Sequence, residues 1–77
     1  RVNCVAPGAI ETERTRAETE GYAARWAPLT PLARVGTVDD VAQAVVALTG
    51  PGFDFVSGQT LGVDGGLFSR AVWPVEY

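Results

Sequence analysis

The chain has 77 residues, six arginines as its only cations against nine acidic side chains, and a formal net charge of −3. That balance supplies no basic field for a polyanion, so no nucleic-acid partner is expected, and one cysteine with no histidine leaves neither a disulfide framework nor a zinc site. An apolar content of 47% with 19% charged residues is that of a globular chain, and no run approaches the ~18 apolar residues of a membrane span.

Residues 2–6, V-N-C-V-A, are too short to show a period, but β-branched Val2 and Val5 beside small Cys4 and Ala6 fit a parallel strand covered on both faces. Pro7 has no N–H to continue a ladder and Gly8 can take a positive φ, so the pair is expected to turn the backbone out of the sheet. Such a loop, at the carboxyl end of a strand, is the kind that lines a ligand crevice in an open α/β sheet. Thr12 is expected at the N-cap of a helix-prone segment. From Thr12 to Pro28 the residues favour helix, and Gly21 divides them into two short helices. Their apolar content is thin and interleaved with charge, the profile of a mobile surface lid.

Pro28 and Pro31 bias their predecessors away from the α region, so L-T-P-L is expected to be extended and to carry Leu29 and Leu32 onto the core. Thr37 with Asp40 three residues later approximates a capping box, and Gly50-Pro51 ends the segment, which predicts a helix over residues 38–49. Apolar positions outnumber polar ones along it, so more than half of its surface is expected to be covered. Residues 60–63 read as a second short strand closed by a turn at Asp64-Gly65-Gly66. Strand, helix, strand is the order of a crossover unit. The tail over residues 67–77 carries Phe68, Val72, Trp73, Val75 and Tyr77 and is expected to dock on this subunit or a neighbour.

Four segments in order, R-V-N-C-V-A-P-G-A-I-E-T at 1–12, P-L-A-R-V-G-T-V-D-D-V-A at 31–42, F-V-S-G-Q-T at 55–60 and L-G-V-D-G-G at 61–66, resemble the C-terminal third of a short-chain dehydrogenase/reductase. The resemblance implies an α/β fold, namely the C-terminal portion of a Rossmann-type doubly wound parallel sheet with its last two strands, lid helices and crossover helix. It implies one domain fragment over residues 1–77, with a substrate lid at 13–28 and a C-terminal tail at 67–77. The parent would be a cytoplasmic NAD- or NADP-dependent oxidoreductase moving a hydride between the nicotinamide and an alcohol or ketone. Its implied partners are the upstream remainder of the same domain and further copies in a dimer or homotetramer, with no membrane. The family's glycine-rich loop and its catalytic Ser, Tyr and Lys lie upstream of the matched segments, so no catalytic residue is expected in this chain. Two other readings stand beside it: a non-catalytic assembly or binding module, and a family member acting as a lyase or epimerase.

The candidate residues each carry two readings. Pro7 and Gly8 either terminate a strand or, as the resemblance implies, shape the floor of the nicotinamide pocket. By the same resemblance Ile10 reads the carboxamide with its main-chain N–H and C=O. Thr12 is a plain N-cap or the threonine whose hydroxyl and N–H reach the cofactor; both can hold together. Tyr22 and Trp26, four apart on a helix, either pin the lid to the core or roof an apolar substrate pocket. Arg34 anchors a carboxylate or caps a carbonyl, and Asn3 and Cys4 are read as structural.

Overall fold

A computed structural model describes residues 1–70. Strand β1 (Cys4–Pro7) is followed by a two-residue strand β2 (Ile10–Glu11), helices α1 (Glu13–Glu18) and α2 (Tyr22–Trp26), a two-residue strand β3 (Gly36–Thr37), helix α3 (Val38–Thr49) and strand β4 (Thr60–Val63). β1 runs parallel to β4 with Val5 opposite Leu61 and Pro7 opposite Val63. α3 connects them in sequence and packs on both, which is the expected crossover unit.

Pro7 ends the ladder, as expected, but does so as its last paired residue rather than as a break before it. The reason is phase. Cys4 N–H donates to the Gln59 carbonyl and Gly8 N–H to the Val63 carbonyl, so the even-numbered residues face β4 and the missing N–H of Pro7 falls on the opposite edge. Gly8 also departs from expectation: it is absent from the glycines with positive φ. Its requirement is a close approach, since a Cβ there would lie 2.6 Å from Asp64 Cβ and 2.8 Å from Asp64 Cα.

Both helix starts form as the caps predict. Thr12 Oγ1 accepts from Thr15 N–H and Thr37 Oγ1 from Asp40 N–H, each inside a reciprocal capping box, and α3 stops at Gly50. Gly21, at φ 69°, separates α1 from α2. The half-buried residues Val41, Ala44 and Leu48 lie along one stripe of α3, but Val38 and Val46 are 61% and 67% exposed, so the expected cover over the second apolar face is missing among the described residues.

The connector after α2 also differs from the extended form expected. Ala27–Leu29 is a 3₁₀ turn with Pro28 in its opening positions, where the absent N–H costs nothing. Thr30, rather than Leu29 or Leu32, is the buried residue. Its hydroxyl donates to the Trp26 carbonyl at 3.0 Å, and its methyl sits where a Cβ on Gly65 would meet it at 2.7 Å. Asp64 closes the turn after β4 by accepting from the N–H groups of Gly66 and Phe68. The expected docking of the tail rests largely on residues 71–77, outside the described residues. Among the described residues no helix is long and apolar enough to cross a membrane.

Ala33 has φ 62°, a left-handed conformation that costs an L-residue roughly 1–2 kcal/mol. Ala33→Gly removes that cost and returns part of it as unfolded-state entropy. The expected net gain is about 0.5–1 kcal/mol, read as a raised Tm of the complete protein.

Candidate functional site

The loop after β1 is held from two sides. From α1, Arg16 forms an ion pair with Glu11 at 2.9 Å, and Thr15 Oγ1 reaches the Ile10 carbonyl at 3.4 Å. From the other side β3 pairs in parallel with β2, Ile10 opposite Gly36 and Glu11 opposite Thr37. Gly36 N–H donates to the Ala9 carbonyl at 2.9 Å, and in a parallel ladder that phase turns Ile10's own N–H and C=O to the edge away from β3. A main-chain donor and acceptor therefore lie together on one edge of a loop at the carboxyl end of β1, the arrangement that reads a primary amide.

Thr12 sits one residue beyond β2. Its N–H is engaged by Thr15 Oγ1 at 2.7 Å, while its hydroxyl approaches Thr15 Oγ1 only at 3.3 Å, long for an O–H···O bond. The hydroxyl proton, not the amide, is the group left to turn toward a ligand.

Ile10 borders a cleft of about 510 Å³, shared with Arg34, Gly36, Asp40, Gly62 and Asp64. Pro7, Gly8 and Thr12 do not line it, and neither do Tyr22 and Trp26. Those two aromatics meet each other on α2, ring centroids 6.2 Å apart and inclined at 43°, with Trp26 37% exposed.

Arg34 carries out both of the roles open to it in the sequence. Its Nη1 donates to Asp40 Oδ2 at 2.8 Å and to the Val35 carbonyl at 3.1 Å. The hydrogen bond from Arg34, with a second from the Thr37 N–H, holds the Asp40 carboxyl well below the usual carboxylate range, and Asp40 raises Arg34 in return. A depressed carboxyl contributes its stability above about pH 4 and loses it as pH falls through the lowered value, so the pair is intact at neutral and mildly acidic pH. Sequence reasoning missed the β2–β3 pairing and the Arg34–Asp40 link; the capping-box spacing at Thr37 and Asp40 was the one visible signal for the second. Asn3 is structural as expected: its side chain donates to the Val56 carbonyl and accepts from Gln59 N–H. Cys4 is exposed in this chain.

Residues 1–68 match the model of a family described as enoyl-(acyl carrier protein) reductase. The 3-oxoacyl-(acyl-carrier-protein) reductase FabG of Chlamydia trachomatis is 40% identical over 67 residues, 87% of this chain and 27% of that protein. FabG of Thermotoga maritima is 42% identical over the same shares. The chain thus spans little more than a quarter of the length of these curated relatives. Among solved structures, a gluconate 5-dehydrogenase from Burkholderia cenocepacia in complex with NADP and tartrate is 41% identical with a TM-score of 0.76, over 92% of this chain and 29% of that one. ElxO with NADP bound is 32% identical with a TM-score of 0.77, over 91% of this chain and 29% of that one. A glucose/ribitol dehydrogenase of Brucella melitensis reaches a TM-score of 0.79 at 37% identity, over 87% and 27%. With the parallel β1–β4 pair joined through α3 and the loop after β1, these likenesses make the chain a member of the enoyl-(acyl carrier protein) reductase family of short-chain dehydrogenases/reductases, with a Rossmann-like α/β fold.

Proposed function

We propose that this chain is the C-terminal part of an NAD(P)-dependent oxidoreductase, one domain fragment over residues 1–77 with a lid at 13–28 and a tail at 67–77. It supplies the loop that holds the nicotinamide, while the residues that exchange the substrate's proton come from the remainder of the domain. The observation that carries this reading is the likeness to the NADP-bound gluconate 5-dehydrogenase over nine-tenths of the chain.

The residues present fit the group. Ile10 offers an N–H and a C=O on one edge, matching the acceptor and donor of a carboxamide. The Thr12 hydroxyl adds a third polar contact, and Pro7 with Gly8 fixes where the loop begins. The nicotinamide, when bound, carries the hydride to or from an alcohol or ketone carbon. This chain's residues orient the ring by its amide; Tyr22 and Trp26, which border neither recess of the chain, either pin the lid or roof an apolar substrate pocket that the remainder of the domain completes. The exposed face of α3 at Val46 and the β4 residue Leu61, 41% exposed, support assembly of the parent as a dimer or tetramer through residues 38–66.

The test uses the complete protein. Deuterium carried by NAD(P)D at C4 is expected in the alcohol product by mass spectrometry, and a protein that binds neither NADH nor NADPH contradicts the reading. In the same protein Thr12→Val is expected to weaken NAD(P)H binding about threefold to tenfold, the size of one hydrogen bond, and to remove about 1 kcal/mol of cap. Fluorescence titration alongside a thermal melt checks it. Unchanged affinity with only a lowered Tm leaves Thr12 as a cap and nothing more.

A further inference from the structure

The amide-reading edge of Ile10 is set by a partner strand, and that strand has its own anchor. β3 is only Gly36–Thr37, far too short to hold a position through its ladder alone. It runs directly into the N-cap of α3, where Asp40 Oδ2 accepts from Thr37 N–H at 2.8 Å. The same oxygen accepts from Arg34 Nη1 at 2.8 Å, and Arg34 Nη2 lies 3.4 Å from Oδ1. Arg34 thereby closes a ring from the residue before Val35, across β3, to the first turn of α3. Ala33, at φ 62°, turns the chain just ahead of the arginine. Gly36 completes the arrangement: a Cβ there would lie 2.5 Å from Ile10 Cδ1, so the Ile10 side chain rests on bare backbone of β3 while its N–H and C=O face the other way.

We propose, building on the cofactor reading above, that Arg34 is a positioning residue for the nicotinamide carboxamide, acting through Asp40 and β3 on the main chain of Ile10. The pair is exposed, with 57% of the Arg34 side chain and 34% of the Asp40 side chain open to solvent. Ion pairs of that kind contribute little to global stability. Its effect is local: without the fork, β3 is held only by its two-residue pairing with the loop and the Thr37–Asp40 cap, and the strand that fixes the phase of Ile10 is free to shift. Small displacements of a positioning group are enough to cost a large factor in binding or rate.

The experiment compares two ligands on the complete protein: the preferred cofactor, NADH or NADPH, and the corresponding ADP-ribose or its 2′-phosphate, which lacks the nicotinamide. Arg34→Gln is expected to weaken the reduced cofactor about tenfold and to leave the ADP-ribose ligand within about twofold by calorimetry. Arg34→Lys recovers most of the loss, and Arg34→Gln combined with Asp40→Asn is no worse than either alone. Should Arg34→Gln fail to fold, Asp40→Asn carries the same comparison, since asparagine keeps an oxygen for the Thr37 N–H. Equal weakening of both ligands, or of neither, overturns the proposal and leaves the pair structural. A wild-type protein that binds neither cofactor overturns the cofactor reading as well, whereas a binding wild type with unaffected variants overturns the brace alone.

Discussion

Gly8→Ala in the complete protein is expected to lower the Tm by roughly 10 °C and to impair cofactor binding, although alanine adds one methyl group. The new Cβ would stand 2.6 Å from Asp64 Cβ and 2.8 Å from Asp64 Cα, distances that no rotamer relieves because neither atom moves when the side chain turns about χ1. Asp64 is tied in place by its own hydrogen bonds. Its carbonyl accepts from Leu67 N–H and its carboxylate from the N–H groups of Gly66 and Phe68, and Val63 just before it takes the last rung from Gly8 N–H at 3.0 Å. Making space therefore breaks that rung and splays the carboxyl ends of β1 and β4, where the Ile10 loop departs. Overpacking of about 1–3 kcal/mol and one lost hydrogen bond of about 1 kcal/mol sum to about 2–4 kcal/mol, and for a domain of ordinary enzyme size each kcal/mol moves the Tm by roughly 2–4 °C. Gly50→Ala is the control. Gly50 has φ −91° and its nearest neighbour to a new Cβ is 3.5 Å away, so its Tm should barely move. Equal behaviour of the two variants by differential scanning calorimetry would contradict the close approach at Gly8.

That contrast also marks what a sequence carries and what it does not. α3 was legible to the residue, because Thr37, Asp40 and Gly50 are local signals whose partners lie within one turn. The split at Gly21 and the strand Thr60–Val63 were legible for the same reason. Gly8 announced a special position but not which one: a close approach to Asp64, far along the chain, leaves no local trace. β2 and β3 pair over two residues each, too few for any period, so the strand that sets the phase of Ile10 was invisible. Ala33 in a left-handed conformation was invisible too, since alanine has no reputation for it. Arg34 was ambiguous in sequence because its two partners, Val35 and Asp40, are both plausible; the structure gives it both. At the candidate site, Ile10 and Thr12 were named from a resemblance, and what the fold adds is the direction of their polar groups.

Expressed alone, residues 1–77 are expected to give no cooperative thermal transition and no NAD(P)H binding. Among the described residues Thr30 is buried, and no apolar side chain is. The apolar residues that should form a core are instead open: Val2 is 79% exposed, Val46 67%, and Phe55 fully exposed. A recess of about 310 Å³ lies between β1 and α3, bordered by Val5, Val45 and Leu48, a shape that calls for side chains from other elements. Each valine, leucine or phenylalanine left in water forgoes roughly 1.5–3 kcal/mol of burial, and a handful of them equals the whole stability of a small domain, about 5–15 kcal/mol. Against that stands backbone ordering at about 1–2 kcal/mol per residue, which hydrogen bonds in short parallel strands and three helices do not offset without a packed interior. The caps add about 1 kcal/mol each and the exposed ion pairs little, so they fix local geometry but do not reverse the sign. Added to the remainder of the domain, the same chain should gain helical signal and protection of Val5, Val41 and Leu48 from hydrogen exchange. Circular dichroism, analytical ultracentrifugation and cofactor fluorescence on the isolated chain decide the matter. A sharp melt above room temperature from a monodisperse monomer would mean that residues 1–77 bury a core of their own, and would favour a free-standing binding module over a piece of an oxidoreductase.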